Sequence, residues 1–320
     1  MARATALDIL MPPAIPTAAA SVPAALARRS RPPLVFVAAL LAVYLLWGST
    51  YLAIRVALET IPPFTLGALR FLLAGGGLYL FLRLRGAPVP SPREWRAATI
   101  TGVLLFVGGN GFVVLGEQWV SSGLVALVVG TMPLWAALFA GASGQRSSGR
   151  EWLGLALGFL GITVLSLGGD LHAAGAGAVL VLLAPVCWAL GVVLGRRGPL
   201  PVGAMAAASQ MLSGGVVLLG LSLVRGETLH AVPSGRSLFA LFYLIVFGSL
   251  VGFTAYGYLL RNTRTAVANS YAYVNPIVAI VLGAALAGEA VSPATWIAAA
   301  IILSGVAVLG LAGPRESSNK

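Results

Sequence analysis

A chain of 320 residues that is 58% hydrophobic and only 9% charged, with a mean hydropathy of +0.94, cannot present a solvated surface around one apolar core. Its solvent is lipid, so the formal charge of +11 has to be explained within a membrane protein rather than by nucleic acid. A single cysteine, Cys187, excludes a disulfide framework and a cysteine metal site, and the sequence points to no metal and no cofactor.

Residues 1–33 are rich in Ala and Pro, lack a charged start followed by an unbroken apolar core, and read as a disordered tail. Beyond them, an apolar stretch needs about 20 residues to cross the hydrocarbon as a helix. Ten such stretches follow in order: Leu34–Ile54, Phe64–Leu82, Ala97–Gly116, Ser122–Ser143, Trp152–Gly169, Ala174–Gly195, Pro201–Val224, Ser237–Leu260, Thr265–Gly288 and Ala294–Gly313. The expected fold class is therefore an all-α membrane protein of ten transmembrane helices, with a short tail over residues 314–320. The link after Gly169 is short enough to force a tight hairpin between spans 5 and 6.

Span 1 carries Tyr44, Trp47, Tyr51 and Arg55 at spacings of three and four, so they share one helical face. Such a face either cradles an apolar or cationic solute or packs against a neighbour with Arg55 reaching the interface. In span 2, Arg70 is the one charge inside the ten stretches, where a charge costs about 2.5–3.5 kcal/mol at mid-depth. It either neutralises an anionic group of a substrate or forms a fixed ion pair with Glu117 or Glu289. Asn110 in span 3 and Gln210 in span 7 are mid-span polar groups that line a path or bond a neighbouring helix. Span 6 contributes Trp188.

In span 9, Tyr271 and Asn275 share one face and Asn269 and Tyr273 the next, while Pro276 frees a carbonyl one turn earlier. Uncovered polar backbone at that depth has to face protein or water, which marks a cavity wall. Pro133 holds the equivalent place in span 4, and both prolines are equally compatible with kinks for packing. Glu117 and Glu289 are the acids nearest the ends of spans and are the candidates for binding a coupling proton. The small-xxx-small pairs Gly154/Gly158, Gly191/Gly195 and Gly248/Gly252 fit close helix packing.

The cations sit in alternate loops. Sixteen of the twenty Lys and Arg fall in the tails and loops on the side of the N-terminus, against Arg225 and Arg236 in the opposite loops. The positive-inside rule then places both termini in the cytoplasm, and attraction to anionic lipid accounts for the net charge.

The sequence also repeats itself. An offset of 144 places Gly144-Gln145 on Gly288-Glu289 and Trp152 on Trp296, and it keeps Ala156, Gly161, Val164, Leu165, Leu167 and Gly169 on identical residues. An offset of 141 places Trp47 and Arg55 on Trp188 and Arg196, and one of 143 places Pro133 on Pro276. Two five-span units, 34–170 and 171–313, each with an odd number of crossings, form an inverted repeat. That architecture suits a carrier that rocks between two states around a midplane site.

Trp47-Gly-Ser-Thr-Tyr-Leu-Ala-Ile-Arg55, Leu69-Arg70-Phe71, Ser270-Tyr-Ala-Tyr-Val-Asn-Pro276 and Gly288-Glu289 together resemble the EamA-type branch of the drug/metabolite transporter superfamily, in particular bacterial exporters with two EamA repeats. The resemblance covers residues 34–313. It implies a ten-helix bundle in the inner membrane that exports or exchanges metabolites, amino acids or drugs. Small multidrug relatives in that superfamily use an acidic residue in span 1 to exchange protons for cationic drugs, and span 1 here has none.

The expected function is thus a secondary transporter whose partners are a small-molecule substrate, membrane lipid and, as candidate coupling ion, a proton. An uncoupled facilitator or channel is the alternative. Without a Walker signature or paired intramembrane carboxylates, the chain has no parts for ATP-driven transport or for general acid–base catalysis, so it is not expected to be an enzyme.

Overall fold

Helices account for all the regular structure among the described residues of the computed structural model, which are 34–142, 149–167, 175–229, 232–262 and 270–311. The predicted tails, the link after Gly169, Gln145, His230 and Asn269 lie outside them, and so does the side chain of Tyr273. In chain order the helices are α1 (Leu34–Ala57), α2 (Pro63–Leu84), α3 (Pro92–Gly116), α4 (Ser122–Val129), α5 (Met132–Ala142), α6 (Gly149–Leu167), α7 (Ala176–Gly195), α8 (Ala204–Val224), α9 (Gly235–Leu259, running on to Asn262), α10 (Tyr271–Ala287) and α11 (Pro293–Leu311).

Seven stretches among the described residues are long and apolar enough to cross a membrane: α1, α2, α3, Ser122–Phe139, α7, α8 and α9. Shorter apolar segments, Trp152–Gly161, Val274–Ala287 and Pro293–Gly305, fall within α6, α10 and α11. The sequence predicts full spans there, and each of the three runs into residues outside the described set. Large side chains such as Leu80, Val216 and Phe239 remain exposed on the outer surface, as a lipid-facing belt requires.

Helix starts follow local chemistry. Ser91 accepts a hydrogen bond from the Glu94 amide at 3.3 Å while Glu94 accepts one from the Ser91 amide at 2.6 Å, a capping box that begins α3 five residues before the predicted Ala97. Ser234 caps α9 through the Ser237 amide at 3.1 Å. The predicted proline kink in span 4 is replaced by an outright break. Helix α4 ends at Val129, Gly130 and Thr131 form a turn, and Pro133 lies in the first turn of α5, where a missing amide hydrogen costs nothing. Pro276 and Pro185, by contrast, lie inside helices.

Among the described residues, three helices are locally widened into π-helical turns, at Val43–Trp47 in α1, Val103–Gly111 in α3 and Leu244–Val251 in α9. Apolar periodicity does not announce these turns. They displace side chains and leave backbone carbonyls open to other partners.

The packing has a regular pattern. Helices α2 and α8 share the most extensive interface, followed by α6 with α11, and α4 packs on α10. Helix α1 packs against α9 and α10, while α7 packs against α3 and α5. Glycines permit the closest approaches: a Cβ at Gly158 would lie 1.9 Å from Leu134 Cδ1, and one at Gly191 would lie 2.9 Å from Leu105.

Candidate functional site

The widened turn of α1 projects Trp47 into the centre of the bundle. Its indole Nε1 donates to the Gly248 carbonyl at 3.1 Å, within the widened turn of α9. Only glycine fits at position 252, because a Cβ there would stand 2.3 Å from that nitrogen. Around Trp47 stand Tyr271, Tyr256, Phe253 and Trp188, with ring centroids 5.0, 5.2, 5.3 and 6.4 Å away. Trp188 rests in turn on Gly109, in the widened turn of α3, where a Cβ would come within 2.8 Å of its ring.

These groups wall a central cavity. Of the ten predicted substrate-binding residues, Trp47, Tyr51, Arg70, Asn110, Trp188, Tyr271 and Asn275 line it, brought together from α1, α2, α3, α7 and α10. Thr50, Met132 and Phe253 complete wall segments that sequence reasoning missed. Tyr44 is not in the wall; its hydroxyl meets Ser270 Oγ at 2.5 Å. Gln210 instead donates to Thr101 Oγ1 at 2.8 Å, joining α8 to α3.

Arg70 is only 4% exposed. Its Nε donates to Ser249 Oγ at 3.0 Å, and Ser249 donates to the Leu244 carbonyl five residues back, a bond that the widened turn makes available. The guanidinium carbon lies 4.8 Å from the Phe71 ring centroid. Nη1 has no hydrogen-bond partner among the described residues. Asn110 Nδ2 likewise bonds a carbonyl five residues earlier, that of Leu105, at 3.3 Å. With its amide nitrogen turned toward the acceptors, Asn275 donates to the carbonyls of Tyr271 at 3.3 Å and Tyr44 at 3.1 Å.

The two candidate coupling acids stand outside the cavity wall and differ sharply from each other. Glu289 accepts from the Ser122 amide and hydroxyl, both at 2.9 Å, and from the Gly123 amide at 3.3 Å, so it caps the N-terminus of α4. It also pairs with Arg55 Nε at 3.4 Å. Of the two partners considered for an Arg70 ion pair, Glu289 pairs with Arg55 instead. Glu117 is 2% exposed, and neither carboxylate oxygen has a partner among the described residues. Its main-chain carbonyl and that of Val120 accept from Arg55 Nη1 at 3.4 Å. Burial, with Glu289 adding to it, pushes the Glu117 carboxyl well above the usual carboxylate range against the opposing pull of Arg55 and Arg70.

Glu227 repeats the capping device elsewhere. It accepts from the Phe64 amide at 3.1 Å and from the Thr65 amide and hydroxyl at 2.8 and 3.0 Å, at the start of α2. At the same end of the bundle Thr60 Oγ1 accepts from the Ser234 amide at 3.1 Å, Ser237 donates to the Val56 carbonyl at 3.0 Å, and Arg236 approaches Glu59 at 3.7 Å. Sequence spacing gives no sign of these latches, since partners lie more than 160 residues apart.

The sequence profile of the EamA-like transporter family matches residues 34–167 and again 175–311. The chain belongs to that family. Among other EamA-like proteins, it is 45% identical over 274 residues to the uncharacterized inner membrane transporter YedA of Escherichia coli (strain K12), covering 85% of this chain and 90% of YedA. It is 25% identical over 265 residues to the uncharacterized transporter YdfC of Bacillus subtilis (strain 168), covering 82% and 86%. A crystal structure superposes with a TM-score of 0.61 over 88% of this chain and 98% of that one, at 21% identity, and so shares the fold. The chain is a multi-pass EamA-like protein of the inner membrane.

Proposed function

We propose that this protein is a secondary transporter that carries a small solute through the central cavity by alternating access, with ten spans in two inverted five-span units and both termini cytoplasmic. One observation carries the reading: the cavity wall draws on both family repeats and holds a buried, incompletely partnered arginine. Substrate contacts are assigned to Trp47, Tyr51, Arg70, Asn110, Trp188, Tyr271 and Asn275.

The packing supports the inversion. With α4 and α5 counted as one span, spans 2 and 7, 4 and 9, and 5 and 10 pack on their own repeat-mates. The cross-contacts are reciprocal: span 1 meets span 8 as span 6 meets span 3, and span 4 meets span 6 as span 9 meets span 1. A two-fold relation between units with opposite crossing sense generates this pattern. The mates α3 and α9 also carry widened turns at corresponding places, each receiving one tryptophan of the Trp47/Trp188 pair.

The test is a ligand-stabilisation screen of purified protein against amino acids, nucleosides, organic acids and cationic drugs, followed by counterflow of the stabilising compound in proteoliposomes. Preloading should accelerate uptake of the labelled compound. Uptake indifferent to preloading would replace the carrier with a facilitator.

A further inference from the structure

Among the described residues, three features near the cavity are left without a role: the unpartnered Nη1 of Arg70, the unpartnered carboxylate of Glu117, and the absence of any acid from the wall. The wall, as described, holds one cation, five aromatic residues (Trp47, Tyr51, Trp188, Phe253 and Tyr271) and two amides. A cationic solute would meet Arg70 with nothing to offset it, and the ammonium of a zwitterion would find only neutral groups. An organic monoanion with an aromatic or apolar body satisfies both halves of the site: its charge reaches Nη1 and its body fills the aromatic space.

Glu117 stands beyond the wall, within electrostatic reach of Arg70, Arg55 and Glu289, with the Tyr51 phenol also close. Arg55 is held by Glu289 and two carbonyls, which leaves Arg70 as the cation without a carboxylate partner. An ionised Glu117 would offset part of the Arg70 charge and weaken its hold on an anion. A protonated Glu117 leaves the full guanidinium charge to the ligand.

We infer that Arg70 and Glu117 form a co-binding pair in which an aryl or alkyl carboxylate anion is held by Arg70 while Glu117 takes up one proton from solution, so the two enter the protein together as a neutral unit. This rests on the cavity being the substrate site. By linkage, anion binding and protonation strengthen each other by the same factor. No acid in α1 is needed, in keeping with its absence there.

The experiment uses the purified full chain with benzoate, phenylacetate and 3-phenylpropionate against their amides. Melting temperature reports binding, and the infrared carbonyl band of a protonated carboxyl reports Glu117. The carboxylates should stabilise the protein and the amides should not. Affinity should fall about tenfold per pH unit once Glu117 begins to ionise. Carboxylate addition should raise the carboxyl band, and Glu117→Gln should remove that rise while keeping carboxylate binding at all pH values. Arg70→Lys, which keeps a charge in place, should weaken binding at least tenfold while leaving the unliganded carboxyl band intact. The inference is overturned if no carboxylate stabilises the protein, if the amides do so equally, or if carboxylates bind with no change in the band. Because these readouts need no transport, a carboxylate that binds with its proton yet shows no counterflow would count against the transporter reading alone.

Discussion

Glu289 and Glu227 show how a carboxylate far along the chain holds the start of a helix. Each accepts three hydrogen bonds at the start of a helix from the other repeat, and Glu289 carries Arg55 as well. Replacing Glu289 by Ala leaves two amides and a hydroxyl without acceptors, replacing Glu227 leaves two amides while Thr65 Oγ1 keeps Ser222 Oγ at 2.8 Å, and each change should destabilise the purified protein by about 1–3 kcal/mol, read as a lower melting temperature. A Glu289→Ala protein that melts as wild type but no longer responds to a pH gradient would restore the coupling role to Glu289. Glu117 behaves oppositely. Its carboxyl is raised in the folded state, so folding binds a proton that the unfolded chain releases, and stability should decline as pH climbs from the ordinary carboxylate range toward the folded value. Glu117→Gln should match wild type at low pH and melt higher than it as pH rises; parallel melting curves at all pH values would contradict the shift.

At the scale of helices, seven of the predicted stretches reappear among the described residues as helices long and apolar enough to cross a membrane, because lipid demands length and apolarity. Seven of the ten residues proposed for binding from the sequence do line the cavity, since polar and aromatic side chains deep in a span need a reason to be there. Three things were not legible in the sequence. The widened turns depend on carbonyls finding partners in other helices, as Gly248 finds Trp47, and no local pattern encodes that. The helix cap made by Glu289 was hidden because the Ser122 amide it accepts from is 167 residues away. Tyr44 shares a helical face with Trp47 by spacing, yet its hydroxyl meets Ser270 and it stays out of the wall. Glycine substitutions test the role of these turns. Gly252→Ala forces the Trp47 indole to move and should cost about 1–3 kcal/mol with a shift in tryptophan emission. Gly220→Ala, with open space around it, should be neutral or stabilise α8 by up to about 1 kcal/mol. Equal effects of the two changes would remove packing around Trp47 as the reason for glycine.

For the whole molecule, the charge asymmetry and the reciprocal packing make one joint statement about topology. A reporter fused after Lys320 should read cytoplasmic, and one inserted between Arg225 and Ser234 should read periplasmic; the same reading at both places would mean an even number of crossings between them and would remove the inverted repeat. The latches joining Thr60 to Ser234 and Val56 to Ser237 then lie at the periplasmic end and have to open if the cavity is to face outward. The most direct measurement fixes that latch and asks where the cavity can be reached. In a Cys187→Ala background, Asn275→Cys is labelled with an impermeant maleimide from either face, with and without a disulfide between Thr60→Cys and Ser234→Cys. Alternating access predicts labelling from both faces without the disulfide, and loss of periplasmic labelling with faster cytoplasmic labelling once it forms. Periplasmic labelling that persists with the latch locked, or a cavity reached from one face only in the unlocked protein, would contradict the account.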